Sequence, residues 1–282
     1  MSSDGWFSRL AGKFSRNSGY MSSMLRQNYS FRELVSLSRA SISGGRKTKV
    51  LDFTVTHLDT RAFRLLLREI FFEGEYRFKT ETDSPVILDC GANIGMATLF
   101  FKYLYPKSRI ASFEADPTTA LVLQENVRQN HLENVTVHNL MLANSEGEHP
   151  FYIAANVDGS LRMSASPGRI SRHREIVVKA GRLSSYIDGP VDLLKLDVEG
   201  VEWDVISDLK ENGKLALIRA MVIEYHHKID GQSSCLARFL GLLEQEGFEY
   251  QLAALGCAPI TRQEVFQDML IGVYRPANGG VK

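Results

Sequence analysis

An apolar run that stops abruptly in an acid and a glycine-rich loop constrains this chain more than any other feature. Val86, Ile87 and Leu88 read as the end of a buried parallel strand, Asp89 closes it, and the loop Cys90-Gly-Ala-Asn-Ile-Gly95 follows. Ala97, Leu99, Phe100, Phe101, Tyr103 and Leu104 then predict a helix whose first amides point back at the loop, ready to hold an anionic group. Gly91 and Gly95 are expected to let the backbone approach a ligand where a Cβ would collide. Strand, glycine turn and helix in that order form a nucleotide-cofactor site in an open α/β sheet.

The loop chemistry narrows the cofactor. A dinucleotide fingerprint reads GxGxxG, clearing room for a pyrophosphate. Here the order is Asp89-x-Gly91-x-Asn93-x-Gly95. A leading carboxylate repels a pyrophosphate and suits a ligand carrying an ammonium and a sulfonium, so Asp89, Gly91, Ala92, Asn93 and Gly95 are expected to hold S-adenosylmethionine. A second strand, Ile110 to Phe113, closes on Glu114, 19 residues beyond the last loop glycine. That is close to the spacing of about 20 at which an acid reaches ribose hydroxyls. Glu114, Ala115 and Asp116 complete the expected cofactor set, and Pro117 sits in the first turn of the next helix.

A third block, Val191-Asp-Leu-Leu-Lys-Leu-Asp-Val-Glu-Gly-Val-Glu-Trp203, is again a buried-type strand ending in acids. In open parallel sheets ligands gather outside the carboxyl ends of strands, so Asp197 and Glu199 should face the methyl donor. Together these blocks resemble the FkbM family of S-adenosylmethionine-dependent methyltransferases. The likeness rests on Asp89-Cys-Gly-Ala-Asn-Ile-Gly95, Phe113-Glu-Ala-Asp-Pro117, the region Asn139 to Glu148 with its Gly147, and above all Leu194-Lys-Leu-Asp-Val-Glu-Gly-Val-Glu202. It spans roughly residues 50 to 275. The resemblance implies a Rossmann-like class I methyltransferase fold, α/β, with a seven-stranded mostly parallel sheet and helices on both faces. It also implies O-methylation, commonly of sugar or polyketide hydroxyls. Met141 departs from the family pattern, which places a small residue there, so adenine contacts in that turn stay unassigned. In this family the equivalent of Tyr76 often closes over the cofactor.

Asp197 is the first candidate for accepting the acceptor's proton, or for holding the donor's amino acid end. Glu199 either orients the acceptor or, with Glu202, caps the helix beginning near Gly200. Lys195, mid-strand, must find a carboxylate partner. His226, at the end of a strand running to Glu224-Tyr-His-His227, is the one histidine considered as a general base. Asp197, Glu199 and Glu224 are the acids that could gather a magnesium ion; spacing assigns no metal. Two other readings stay open: a nicotinamide-dependent oxidoreductase, and a non-catalytic binding protein on a methyltransferase fold.

Net charge is zero, which gives no global field for nucleic acid. Cys90, Cys235 and Cys257 are scattered without metal spacing, as expected of a cytoplasmic protein. Residues 1–49 are basic and serine-rich and read as an extension outside a domain spanning 50–282. Within the extension, Trp6, Phe7, Leu10 and Phe14 share one side of a helical projection, with Arg9, Lys13 and Arg16 elsewhere. That pattern fits peripheral contact with an anionic membrane surface; a tail, a docked helix or an organelle transit peptide fits the composition too. Residues 50 to 56 alternate as a strand or hairpin arm, and 61 to 72 show a helical stripe. Between 144 and 180 paired strands are expected around an irregular insert, 156–168, read as substrate-facing.

Overall fold

The computed structural model describes residues 25, 27–154, 163–164, 173–227, 235–255 and 267–276. Helix α1 (Phe31–Ile42) starts at Ser30, whose side chain accepts from the Glu33 amide while Glu33 accepts from the Ser30 amide. A hairpin follows, β1 (Lys47–Val50) against β2 (Phe53–Thr56), turned at Leu51 with φ of 54°. Helix α2 (Thr60–Leu66) is capped by Asp59 and runs into a π-helical segment, Leu67–Glu73, that Gly74 closes at φ 70°. A regular α-helix is what the stripe over 61 to 72 predicts. The wider i→i+5 turn instead brings Leu67 and Phe72 to the same interior.

Part of the segment expected as an extension packs on the domain expected to begin at residue 50. Leu25, Tyr29, Leu34, Leu37 and Ala40 are buried in one cluster with Phe71, Phe100 and Phe101. Tyr29 donates to the Phe71 carbonyl, and Tyr103 donates to Glu33. Each leucine so buried contributes about 2 kcal/mol, enough to make α1 an integral layer. The basic residues Arg32 and Arg39, which gave the segment its look of an appendage, lie on the exposed side of α1. The stripe from Trp6 to Phe14 lies outside the described residues.

The central sheet begins with β3 (Val86–Cys90), followed by α3 (Met96–Leu104), β4 (Arg109–Glu114), α4 (Pro117–Gln129) and β5 (Val135–Asn139). Asn126 on α4 ties β2 to the glycine loop: its side chain pairs with both backbone groups of Thr56 and donates to the Ile94 carbonyl. Four further strands, β6 (Met141–Leu142), β7 (Gly147–Ala154), β8 (Met163–Ser164) and β9 (His173–Gly181), make a separate small sheet in the order β6-β9-β7-β8. Phe151 pairs with Ile176 there, as the alternation predicts. Most of the insert 156–168 lies outside the described residues.

The chain returns through β10 (Leu193–Leu196), α5 (Glu202–Glu211), β11 (Ala220–His227), α6 (Leu236–Gln245), β12 (Glu249–Leu255) and β13 (Gln267–Tyr274). The seven-stranded order is β12-β13-β11-β10-β3-β4-β5, and β13 alone is antiparallel to its neighbours. Helices α1 to α3 cover one face and α5 and α6 the other, around two apolar clusters. The strand order reverses between β3 and β10, which places the crevice of this sheet beside Asp89 and Asp197. Among the described residues no helix is long and apolar enough to cross a membrane.

Candidate active site

A cleft opens at that reversal. Gly91, Ala92 and Asn93 from the loop, Glu114 and Ala115 from the end of β4, and Asp197 and Glu199 beyond β10 all line it. Its far wall is apolar, built from Phe113, Leu140, Met141, Leu142 and Phe151. Tyr76, buried, also lines it, with the Lys195 ammonium 5.4 Å from its ring centre.

Three residues expected at the cofactor are not among those lining the cleft, and each has a structural partner. Gly95 has φ of 90°, and a Cβ there would lie 2.6 Å from Leu123 Cδ1, so its missing side chain admits α4. Asp116 is the N-cap of α4: its carboxylate accepts from the Thr118 and Thr119 amides and the Thr119 hydroxyl, and it stays out of the cleft lining. Asp89 is fully buried behind the loop, where it accepts from Thr98 and lies 3.5 Å from Lys195. The carboxylate expected to meet the donor's ammonium thus already has a cation of the protein's own. Gly91 is needed for a different reason than expected. A Cβ at its φ of 77° would stand 1.7 Å from the Asp197 carbonyl oxygen, so the glycine lets β3 and β10 close on each other.

Lys195 is the joint of the site. Its ammonium donates to the carbonyls of Cys90 and Gly91 and bridges Asp89 to Asp197, the latter at 3.6 Å. Burial opposes its charge, but Asp197 and Asp89 outweigh that and hold its pKa above the usual lysine value. Glu114 accepts from the Asn93 and Asp116 amides, one on each oxygen. Burial nevertheless raises its pKa to about 7. Each of its oxygens keeps a second lone pair for a hydroxyl in the cleft.

On the opposite side of Asp197 the structure gathers acids that the sequence leaves far apart. Glu224 is raised to about 9, by burial first and then by the charge of Asp197. Glu69, on the π segment, is raised to about 8 by burial and by Glu75, and Glu75 to about 7 by burial and by Glu73; both also feel Asp197. Ligand-type atoms of Asp197, Glu199 and His226, and of Glu224, His226 and Asp268, converge within 4.8 Å in each set. Acidic clefts often show such convergence, and it assigns no ion by itself. Glu69, Glu75 and Asp268 carry no signal in the sequence, since nothing local marks which acids a π turn and an antiparallel strand bring to the same crevice.

These raised values have a consequence for the ligand-free protein. A carboxyl with a raised folded pKa contributes stability that is present below its unfolded value, near 4.5, and is lost as pH rises through the folded value. The thermal midpoint should therefore fall as pH is raised from about 5 to 9, with the last part of the fall due to Glu224. Midpoints measured across that range should show a flatter profile above pH 7 in Glu224→Gln; a variant with the same slope as wild type would contradict this account.

A sheet with this strand order, one reversed strand, and acids at the ends of β4 and β10 around one cleft defines the class I methyltransferase fold. Within that class, the chain belongs to the family of the methyltransferase FkbM domain, whose model matches residues 89–250. Similar proteins include Methyltransferase 1 of Beauveria bassiana (strain ARSEF 2860), 28% identical over 212 residues that cover 68% of this chain and 83% of that protein. The 31-O-demethyl-FK506 methyltransferase FkbM of Streptomyces tacrolimicus is 29% identical over 231 residues, 69% of this chain and 85% of its own length. The 2-O-methyltransferase NoeI of Sinorhizobium fredii (strain NBRC 101917 / NGR234) is 29% identical over 162 residues, 51% of this chain and 65% of its own.

Proposed function

We propose that this methyltransferase uses S-adenosylmethionine and methylates a hydroxyl oxygen of a small-molecule, glycan or glycolipid acceptor. The observation that carries the reading is the single cleft at the β3–β10 reversal that the glycine loop, Glu114 and Asp197 share. When bound, the cofactor supplies a methyl group on a positively charged sulfur. The residues fit it: Glu114 has lone pairs for the ribose hydroxyls, the wall from Phe113 to Phe151 suits an adenine, and Asp197 suits the amino acid end. Acids also predominate on the acceptor side, which favours a cationic donor over a pyrophosphate. The hydroxyl acceptor is supported by the two relatives whose names specify O-methylation.

The chain's own residues have three tasks. Tyr76 and the apolar wall exclude water, Lys195 fixes the loop and Asp197 relative to each other, and Asp197 and Glu199 line the cleft with His226 buried behind them, its Nε2 3.8 Å from Asp197 and 3.5 Å from Glu199. A positioned base typically adds roughly 10² to 10⁴ in rate. Titration calorimetry with S-adenosylmethionine, S-adenosylhomocysteine and NAD tests the donor, and transfer of a labelled methyl from the donor into fractionated glycans and lipids tests the acceptor. Binding of the first two with no response to NAD is expected. Binding of NAD alone would overturn the reading.

Glu114→Ala should weaken S-adenosylmethionine by about 100-fold, the loss of two hydrogen bonds to a charged acceptor. Because Glu114 also holds the Asn93 and Asp116 amides, its removal should loosen the loop as well. Hydrogen exchange at those two amides should therefore accelerate alongside the loss of affinity seen by calorimetry. Normal affinity in the variant would remove Glu114 from the site.

A further inference from the structure

Tyr76 carries a polar group that the protein itself does not satisfy. The residue is 4% exposed and lines the cleft, and no protein group among the described residues hydrogen-bonds its hydroxyl, whose oxygen is nonetheless not closed to solvent. Hydroxyls of buried residues are nearly always paired, and each exception needs a reason. Looseness is not the reason. Tyr76 sits inside a turn that the Arg77 amide closes on the Gly74 carbonyl at 2.9 Å, where Gly74 ends the π segment. Just beyond it the Arg77 guanidinium lies 5.2 Å from the centre of the Phe100 ring, and Tyr105 donates to the Phe78 carbonyl at 3.0 Å. The Lys195 ammonium stands 5.4 Å from the centre of the Tyr76 ring. Turn and ring are thus held in place, and the hydroxyl is what remains for a ligand.

Its surroundings say which ligand. The charges that Tyr76 feels most are those of Asp197, Glu224 and Glu75, in that order, the acids of the acceptor side, and Glu114 at the ribose end is not among the leading ones. Burial and those charges hold the phenol well above its ordinary pKa, so it stays neutral and can both donate and accept. Lys195, the cation among the described residues that line the cleft, is already engaged by two carbonyls and two carboxylates. Ionised carboxylates only accept. An oxygen entering the acceptor side therefore meets its side-chain donor in Tyr76.

We propose that the Tyr76 hydroxyl binds the acceptor: it donates to one lone pair of the attacking oxygen and leaves the other to meet the methyl group. The inference rests on the O-methylation reading above. As the oxygen forms its bond to the methyl carbon, the electron pair of the methyl–sulfur bond stays on sulfur, and the oxygen's proton passes to a carboxylate of the cleft and on to solvent. Such a contact also selects the acceptor, because a molecule without that oxygen leaves the phenol buried and unpaired.

Tyr76→Phe removes the hydroxyl and keeps the ring beside Lys195. In the full chain its urea midpoint should match wild type, since no protein partner is lost, and its affinity for S-adenosylmethionine in calorimetry should match too. The initial rate of labelled methyl transfer into the fractionated extract, at saturating donor and limiting extract, should fall about tenfold, the usual effect of losing one neutral hydrogen bond. A readout independent of turnover is the ¹³Cζ resonance of Tyr76 in tyrosine-labelled protein, assigned through Tyr76→Phe. It should move when the active extract fraction is added to wild type loaded with S-adenosylhomocysteine.

Weaker donor binding in Tyr76→Phe would assign the hydroxyl to the donor, a lowered urea midpoint would give it a partner within the protein, and an unmoved resonance would leave it without a ligand. Each of these overturns the proposal. Wild type that transfers no label removes the wider reading and this one with it, whereas transfer that Tyr76→Phe performs equally well removes this one alone.

Discussion

Gly91→Ala should abolish donor binding at any accessible concentration and lower folding stability by about 3 kcal/mol, the upper range for overpacking a tight interior. The added Cβ would stand 1.7 Å from the carbonyl oxygen of Asp197 and 2.8 Å from its carbonyl carbon. Both are backbone atoms on the neighbouring strand end, so no side-chain rotation relieves them. The ends of β3 and β10 must separate, and that breaks the Lys195 bonds to the Cys90 and Gly91 carbonyls. A left-handed backbone adds its own cost, about 1 kcal/mol for a residue with a Cβ. Gly213→Ala isolates that part. Its φ is 66°, nothing lies within 4 Å of the built Cβ, and it sits beyond the C-terminus of α5, away from the cleft. Urea denaturation of the two variants, with calorimetry for the donor, reads the difference. Equal losses of stability in both would mean that the contact with Asp197 matters little and that left-handed strain explains everything.

The strand ends around Gly91 were legible in the sequence because buried parallel strands are written as short apolar runs, and acids directly after them are rare unless a crevice receives them. The same local grammar is silent where the deciding neighbour lies far along the chain. Gly95 reads as a second ligand-clearing glycine, and only the packing of Leu123 from α4 shows whose atoms it admits. Asp116 carried two messages at once. Asp followed by Pro117 marks a helix start, and the carboxylate that begins a helix is spent on its amides.

For the N-terminal region, composition outweighed pattern. Arginines and serines made residues 1–49 look external, yet Ser30-x-x-Glu33 is a capping box and Leu34, Leu37 and Ala40 fall on one helical face. Those two local signals describe a docked helix, and α1 is one. The π segment has no comparable signature, because Leu67 to Phe72 is apolar enough to satisfy either helix period. Its effect on function is to bring Glu69 near Asp197, an encounter that requires the whole sheet to be in place.

Lys195→Met is the substitution that should cost most in stability, and it removes a side chain that lines the cleft and holds the loop to Asp197. Lys195 and Asp89 are both shut off from solvent, with side-chain exposures of 2% and 0%. Removing the ammonium takes the counter-ion 3.5 Å from Asp89 Oδ1 and leaves the carboxylate the Thr98 hydroxyl, which donates to Oδ2. Breaking one side of a buried pair in this way costs about 3–5 kcal/mol, because the surviving charge cannot be solvated. Two carbonyls, those of Cys90 and Gly91, lose a donor as well. The pairing can be tested by a second change that removes the stranded charge: Lys195→Met combined with Asp89→Asn should recover about half of the loss, since neutral groups of similar shape are far cheaper to bury. Chemical denaturation of the two single variants and the double variant measures the coupling. Additive losses would show that Lys195 acts through the carbonyls and Asp197 rather than through Asp89. Recovery in the double variant without recovery of donor affinity would show that the ammonium has two separable tasks, neutralising Asp89 in the interior and fixing Asp197 at the mouth.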